Sequence, residues 1–245
     1  MIIMWSRFKS SFIADFNIIW NDKALLSRYL APIVFIIFLR FIFPLLSTFV
    51  FSKTGFSPGN YYSLIAITLV STIPMLIGIV YAFILLDENN LNILHVITIA
   101  SSGRSKYLIH RMIVTIFISF VLTIITILLV NPVPTQGWLR IIFATFLISI
   151  QAPFVFLFIS AFTENRITGL PFSRLLWIIL IVLPLGLQLH HPWNYFVFFS
   201  PLYWTAWAWI VKSPVESMIY GSIALIITST GIIVFYRHLL RKHID

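Results

Sequence analysis

The chain contains no cysteine and very few acidic residues. Of its 245 residues only 7 are Asp or Glu, and charged residues of either sign make up 9%. The absence of cysteine excludes a disulfide framework, a thiolate metal site and a cysteine nucleophile. No Asp or Glu lies near the centre of a long apolar run. This argues against an intramembrane protease, which would need a serine or aspartate pair or a glutamate set within its spans.

Two familiar catalytic motifs are also missing. The sequence has no Gly-x4-Gly-Lys-Ser/Thr phosphate loop, so the chain does not hydrolyse ATP by that route, and it has no His-Glu-x-x-His zinc motif. His190 and His191, followed by Trp193, could bind haem or a metal. The commoner explanation of such a stretch is a loop beside an aromatic belt at a membrane interface.

Apolar residues dominate what is present. They make up 60% of the chain, and the mean hydropathy is +1.02. A soluble domain of this size could not bury so much apolar surface, so we expect an integral membrane protein. The net charge is +9, but the basic residues lie between apolar runs. Anionic lipid headgroups are therefore the expected partners, and nucleic acid is not.

The apolar runs predict an all-α protein with six transmembrane helices, since a bilayer core of ~30 Å needs about 20 helical residues. The predicted spans are residues 29–51, 61–86, 107–130, 138–162, 174–189 and 214–236. The fifth is short for a straight crossing. Residues 1–27 form an amphipathic N-terminal unit on the membrane face, and 28–245 form the transmembrane domain. The aromatic stretch 192–210, split by Pro201, predicts a re-entrant segment before the last span.

The basic residues predict the orientation of these spans. With six spans, 12 Lys and Arg residues share a side with both termini, 3 lie on the other side, and Arg40 lies within a span. Positive residues stay on the cytoplasmic side of a membrane. We therefore expect a multi-pass protein of the cell membrane with both termini in the cytoplasm.

A polar stretch between the second and third spans predicts a short cytoplasmic helix at 87–100. It opens with Asp87 and Glu88, and Leu91, Leu94 and Ile97 recur at three-residue spacing on one helical face. Such a helix can dock a soluble partner. It can equally be an interfacial helix that closes a loop.

This stretch resembles the first cytoplasmic loop of ABC-2-type transporter permeases. The matching positions are Asp87, Glu88, Asn90, Leu91, Leu94, Thr98, Ser101, Tyr107 and Leu108. Ile99 stands where the family usually has proline, and Tyr107 comes about two residues late. The resemblance implies an N-terminal elbow helix and a coupling helix that binds a separate ATPase. The ATPase-coupling residues would be Asp87, Glu88, Leu91, Leu94, Ile97 and Thr98.

The same resemblance implies a function. The chain would be the permease subunit of an ATP-binding-cassette exporter, paired with a second, identical or related, permease subunit. ATP and Mg would be bound by the partner ATPase, and this chain would hold no cofactor and catalyse no reaction. The substrate would be a hydrophobic or amphipathic peptide or toxin, a drug or a lipid-like molecule. A haem-handling or other membrane assembly factor and an intramembrane enzyme are the alternatives.

Three polar residues within the predicted spans are candidates for a substrate cavity: Arg40, Gln151 and Gln188. A charge at mid-span costs at least ~2.5 kcal/mol on insertion scales. No acid within the spans can pair with Arg40. It therefore lines a cavity or subunit interface, or it is a structural arginine that is hydrogen-bonded or reaches the outer headgroups.

Overall fold

The structure is a computed structural model that describes residues 13–91, 104–131, 137–188 and 198–241. Every regular element in these ranges is helical. The α-helices are α1 (13–21), α2 (Lys23–Ile37), α3 (Phe43–Thr54), α4 (Tyr62–Asn90), α5 (Arg104–Val130), α6 (Trp138–Ser149), α7 (Gln151–Phe162), α8 (Arg166–Gln188), α9 (Pro201–Ile210) and α10 (Pro214–Arg241). A π-helix, Phe38–Ile42, joins α2 to α3, and a 3₁₀ turn, Pro58–Tyr61, precedes α4.

Helix α4 forms the centre of the bundle. All of its residues from 70 to 86 are buried, and α2, α5, α7 and α8 pack around it. A helix that is apolar on every side is stable only where other helices or lipid cover it all round. Helices α9 and α10 pack against each other, and α10 also contacts α7. The apolar surface of α4 therefore lies inside the protein, and the neighbouring helices shield it.

The segment α2–π–α3 lies at the periphery and is interrupted at Pro44. Proline has no N–H and its ring clashes with the preceding turn, which disrupts the α-helical pattern at this point. The helix responds with a π-turn, in which the Phe43 N–H bonds to the Phe38 carbonyl five residues back. Farther along, Leu45 and Phe49 are 72% and 62% exposed. Such an outer surface suits contact with lipid rather than water.

The two ends of the bundle are fixed by contacts between α4 and α5. Tyr107 near the start of α5 donates to Glu88 at the end of α4. At the opposite end, Tyr62 donates to the carbonyl of Val130 over 2.7 Å. The two helices are therefore antiparallel neighbours. We refer below to the Glu88 end and the Tyr62 end of the bundle.

Five helical segments among the described residues are long and apolar enough to cross a membrane. They are Lys23–Thr54, Pro58–Asn90, Ser105–Val130, Trp138–Phe162 and Pro214–Arg241. Together with the apolar outer surface, they confirm an all-helical, multi-pass membrane protein. The side chains of α8 beyond residue 178 lie outside the described part of the chain.

Helix α8 begins earlier than predicted. The sequence pattern places residues 163–173 in a polar loop, but the helix starts at Arg166 and has 23 residues. A reciprocal cap explains this start. The Thr168 N–H donates to Asn165 Oδ1 over 2.9 Å, and the Asn165 N–H donates to Thr168 Oγ1 over 3.3 Å. This pair satisfies N–H groups that a helix start otherwise leaves unpaired.

Helix α9 covers the second half of the predicted re-entrant segment 192–210. Its 10 residues span about 15 Å, roughly half of a bilayer core. Its last carbonyls have partners on two other helices: Arg140 on α6 donates to Ala208 and Trp209, and Ser217 on α10 donates to Ala208 over 2.5 Å. Residues 192–197 lie outside the described residues, so the re-entrant path itself stays a prediction.

Candidate functional site

The Glu88 end places two carboxylates where a helix disfavours them. Asp87 and Glu88 lie in the last turn of α4, which carries the negative end of the helix dipole. The predicted span ends at residue 86, yet the helix continues through Asn90. It can do so because each acid is paired with an arginine, Glu88 with Arg111 and Asp87 with Arg166.

Arg111 is the centre of a buried polar network. Its Nη2 donates to Glu88, its Nη1 to Asp15 Oδ1 over 2.8 Å, and its Nε to the Tyr107 hydroxyl over 2.8 Å. Tyr107 in turn donates to the second Glu88 oxygen. Arg111 and Asp15 are only 3% and 2% exposed. A planar guanidinium with several fixed donors suits this simultaneous binding of two carboxylates.

The network carries more negative than positive charge. One arginine faces two carboxylates, and Asp15 Oδ2 is buried without a hydrogen-bond partner among the described residues. Burial raises the pKa of Asp15 to about 6; Arg111 opposes this rise and the nearby Glu88 adds to it. Asp15 is therefore poised to bind a proton slightly below neutral pH.

A second ionic cluster lies beside the first and is more exposed. Asp22 Oδ1 caps α2 by accepting from the N–H groups of Ala24 and Leu25 over 2.8 and 3.1 Å. Its Oδ2 accepts from Arg166, which also contacts Asp87 over 3.4 Å. The hydrogen bond from Arg166 is the main reason that the pKa of Asp22 falls to about 2. Arg166 thus connects the starts of α2 and α8 to the end of α4.

We call these two clusters the ionic layer: Asp15, Asp22, Asp87, Glu88, Tyr107, Arg111 and Arg166. It joins five helices, α1, α2, α4, α5 and α8, at one end of the bundle. A groove beside it is lined by Ile18, Ile84, Asp87, Glu88, Asn90 and Leu91. Displacement of any one of these helices would therefore strain ion pairs to the others.

The predicted ATPase-coupling residues divide into three groups. Glu88 is buried and its carboxylate is bound within the chain, so it does not face an outside partner in this conformation. The Asp87 side chain is 37% exposed, and Leu91 is 69% exposed. Leu94, Ile97 and Thr98 lie outside the described residues.

The predicted cavity residues do not come together. Arg40 is exposed and bonds to Leu129 at the Tyr62 end, whereas Gln151 is fully buried and bonds to Thr228. Gln188 is the last residue of α8, and its side chain lies outside the described part of the chain. The role of each residue in a substrate cavity stays a prediction.

The sequence pattern did not identify Asp15, Arg111 or Arg166 as site residues. In the pattern Asp15 belongs to the polar side of the N-terminal helix, where water would be its natural partner. Within the described residues no group of three or more His, Asp or Glu side chains could hold a metal ion. His190 and His191 lie outside those residues, so the haem-binding alternative stays a prediction.

The fold and this site define a multi-pass helical membrane protein whose polar chemistry is concentrated at one end of the bundle. The chain belongs to the family described as Fluoroquinolones export permease protein Rv2686c-like, which matches residues 15–236. Comparisons with curated proteins and with solved structures gave no match. Family membership supports the predicted drug-export permease and favours a transport subunit over an enzyme.

Proposed function

We propose that this chain is the membrane-spanning permease subunit of an ABC-2-type exporter, driven by a separate ATPase that binds ATP and Mg. The proposal includes six spans with α8 as the fifth, both termini in the cytoplasm, and a second permease subunit. It is supported by the family match over residues 15–236 and by the resemblance of the stretch that follows α4.

The ionic layer is the observation that carries this proposal. A coupling segment must pass a displacement from its partner to the spans on either side of it. Glu88 lies just before residues 92–103, and Arg111 lies just after them on α5. The bond between these two side chains links α4 to α5 directly. Asp15 adds α1 to the same network, so the three helices would move together when the segment between them is pushed.

The accessible side chains at this end suit a protein partner. Leu91 offers an exposed apolar anchor, and Asp87 offers a carboxylate that is only partly shielded by Arg166. Leu94 and Ile97 continue the apolar pattern of Leu91. Interfaces of this kind concentrate their free energy in a few buried anchors, each worth roughly 1–3 kcal/mol on truncation. Asp87 therefore replaces Glu88 as the acid expected to face the ATPase.

The docking step is tested by co-purification of the permease with an ATP-binding-cassette ATPase that is expressed together with it. Leu94→Asp would bury an unpaired carboxylate in the interface and should release the ATPase. Asn92→Asp adds the same charge on the opposite side of the predicted helix and should leave the complex intact. If both variants keep the ATPase and its substrate-stimulated hydrolysis, the coupling proposal is wrong.

The substrate class is tested separately in inside-out membrane vesicles. The family description points to fluoroquinolones, which are fluorescent and amphipathic, so uptake can be followed optically. Vesicles with the wild-type complex should accumulate the drug only when ATP is present. Uptake that persists without ATP, or with the Leu94→Asp variant, would indicate a transporter with another energy source.

A further inference from the structure

The helical span between Trp138 and Phe162 is broken at its midpoint. Ile150 forms a turn between α6 and α7, and Pro153 follows in the first turn of α7. Because proline lacks an N–H, the Ser149 carbonyl loses its usual helical donor. Along the helix axis, Ile150 lies about 15 Å from Arg140 and about 18 Å from Phe162. The break therefore lies near the middle of the bilayer.

A buried amide sits at this break. Gln151 is 1% exposed, and its Nε2 donates to Thr228 Oγ1 on α10 over 3.0 Å. Thr228 itself donates to the carbonyl of Ala224 over 2.7 Å. The Gln151 Oε1 atom has no hydrogen-bond partner among the described residues. An acceptor thus remains unpaired in the part of the protein farthest from bulk water.

Helix α5 contributes two further unpaired groups, one helical turn apart, in a helix that packs against α7. Thr115, Ser119, Thr123 and Thr126 share one fully buried face of this helix. The outer two bond to carbonyls of their own helix, at 2.7 and 2.8 Å. Ser119 Oγ and Thr123 Oγ1 have no partner within the described ranges. Along the axis of α5, Ser119 lies about 18 Å from Tyr107 and about 16 Å from Val130. Helix α5 packs against α6 and α7.

A small neutral ligand that forms hydrogen bonds would satisfy these unpaired oxygen atoms. A buried polar group without a partner costs about 1–3 kcal/mol, and three occur on α5 and α7, which pack against each other. In the part of the chain that the structure describes, no acidic residue lies at this level, so the site lacks the negative charge that would favour a cation. Buried water molecules form hydrogen bonds with hydroxyl groups and amide oxygens, and each molecule makes about three such bonds.

We propose that the layer formed by Ser119, Thr123, Gln151 and Thr228 binds water inside the bundle, at a depth where the surrounding bilayer holds none. The bound water would also supply the donor that the Ser149 carbonyl lacks. The bundle of a single chain would then contain a polar site at its midpoint, separate from the ionic layer at the Glu88 end. This inference does not depend on the proposed ATPase or substrate.

The absence of cysteine from the whole chain permits a direct test. Only the thiolate form of cysteine reacts with methanethiosulfonates, and a thiolate needs a hydrated surrounding. Ser119→Cys changes one atom, so it should fold. Ile118→Cys and Phe117→Cys are controls at the same depth, since Ile118 is 5% exposed in an apolar contact and Phe117 is 56% exposed on the outer surface.

The probe is methyl methanethiosulfonate, which is small and neutral, added to the purified protein in lipid, with modification followed by intact mass. We expect Ser119→Cys and Gln151→Cys to react roughly tenfold faster than both controls. Equal rates at 117, 118 and 119 would overturn the proposal.

In a second measurement, the double variant Ser119→Ala, Thr123→Val should melt at a lower temperature than the wild type. An unchanged or raised melting temperature would mean that the hydroxyls were dry and unpaired, and it would also overturn the proposal.

Discussion

Arg40 donates from Nη1 to the carbonyl oxygen of Leu129 over 2.9 Å, and this bond joins the π-helix to the last turn of α5. Tyr62 donates to the next carbonyl, that of Val130. The last carbonyls of a helix have no partner within it and carry the negative end of its dipole. Arg40 therefore lies beside the last turn of α5 at the Tyr62 end of the bundle, and the prediction that follows tests whether it is a structural arginine.

We expect Arg40→Ala to insert normally, to lose about 0.5–1.5 kcal/mol of stability, and to retain transport. Arg40→Lys keeps the charge near the helix end and should recover part of the loss. The measurements are thermal unfolding in lipid and drug uptake per unit of protein. A normal melting temperature combined with abolished transport would reverse this interpretation and favour a cavity or subunit interface.

Arg111 should be among the least replaceable residues of the chain. Arg111→Ala leaves Glu88 and Asp15 buried without their cation, and removing one partner of a buried ion pair costs roughly 3–5 kcal/mol. Arg174 on α8 is exposed and serves as the matched control. We expect little folded Arg111→Ala protein in size-exclusion chromatography and a normal profile for Arg174→Ala. Equal profiles would mean that the ionic layer contributes little to stability.

The helices were predictable from the sequence where consecutive residues alone identify them. Span length and hydropathy are properties of consecutive residues, so the apolar runs identify α4, α5 and α10 closely. The end of α4 was not predictable, because Asp87 and Glu88 look like a helix stop until their arginines are known. Those partners come from α5 and α8, 23 and 79 residues away in sequence.

The site residues illustrate the same limit more strongly. The bond between Asp15 and Arg111 joins residues 96 positions apart, and that between Gln151 and Thr228 joins residues 77 apart. Nothing in either neighbourhood indicates the other. The start of α8 is different, because Asn165 and Thr168 form a local cap that the sequence pattern could have revealed. A polar loop was predicted there because the run Thr163–Asn165 is typical of turns.

Asp15 should make the stability of the protein depend on pH. Its pKa is about 6 in the folded state and 3.8 in an unperturbed chain, so the folded state binds more protons between these values. Stability should therefore fall as the pH rises from about 4 to about 6 and stay level above that range. Asp15→Asn mimics the protonated carboxyl and removes this dependence.

The measurement is the melting temperature of wild type and Asp15→Asn at several pH values. The variant should match the wild type near pH 4 and exceed it near pH 7, by an amount that grows as Asp15 ionises. Asp22→Asn is an informative contrast. The pKa of Asp22 is lowered to about 2 by Arg166, so its contribution is present above pH 4 and is lost on acidification. A wild-type advantage at pH 7 would show that the ion pair with Arg111 outweighs burial.

The proposed orientation can be checked with single cysteines at exposed positions. Lys53 and Lys212 lie near the Tyr62 end, whereas Glu164 and Arg237 lie near the Glu88 end, and all four are exposed. In intact cells an impermeant maleimide should label cysteines at 53 and 212. Those at 164 and 237 should react only after the membrane is opened. Labelling of position 164 in intact cells would contradict a cytoplasmic Glu88 end.

The contact between α4 and α7 supplies the last prediction, because it leaves no room for a side chain. A Cβ atom at Gly78 would lie 2.6 Å from the Ala152 carbonyl oxygen and 2.8 Å from Val155 Cβ. Neither the backbone oxygen nor a β-carbon can move away without separating the two helices. Gly78→Ala should therefore destabilise the protein by at least roughly 1–3 kcal/mol, as expected for overpacking.

Gly137→Ala is the matched control, since a Cβ atom there meets no other atom within 4 Å. Both variants add one methyl group, so the difference in melting temperature isolates the α4–α7 contact. Because Ala152 adjoins the break at Ile150, separating the helices should also open the buried layer around Gln151. We expect Ser119→Cys to react faster with the methanethiosulfonate when it is combined with Gly78→Ala than when it is alone. Equal melting temperatures for the two glycine variants would show that the helices are not in the close contact described.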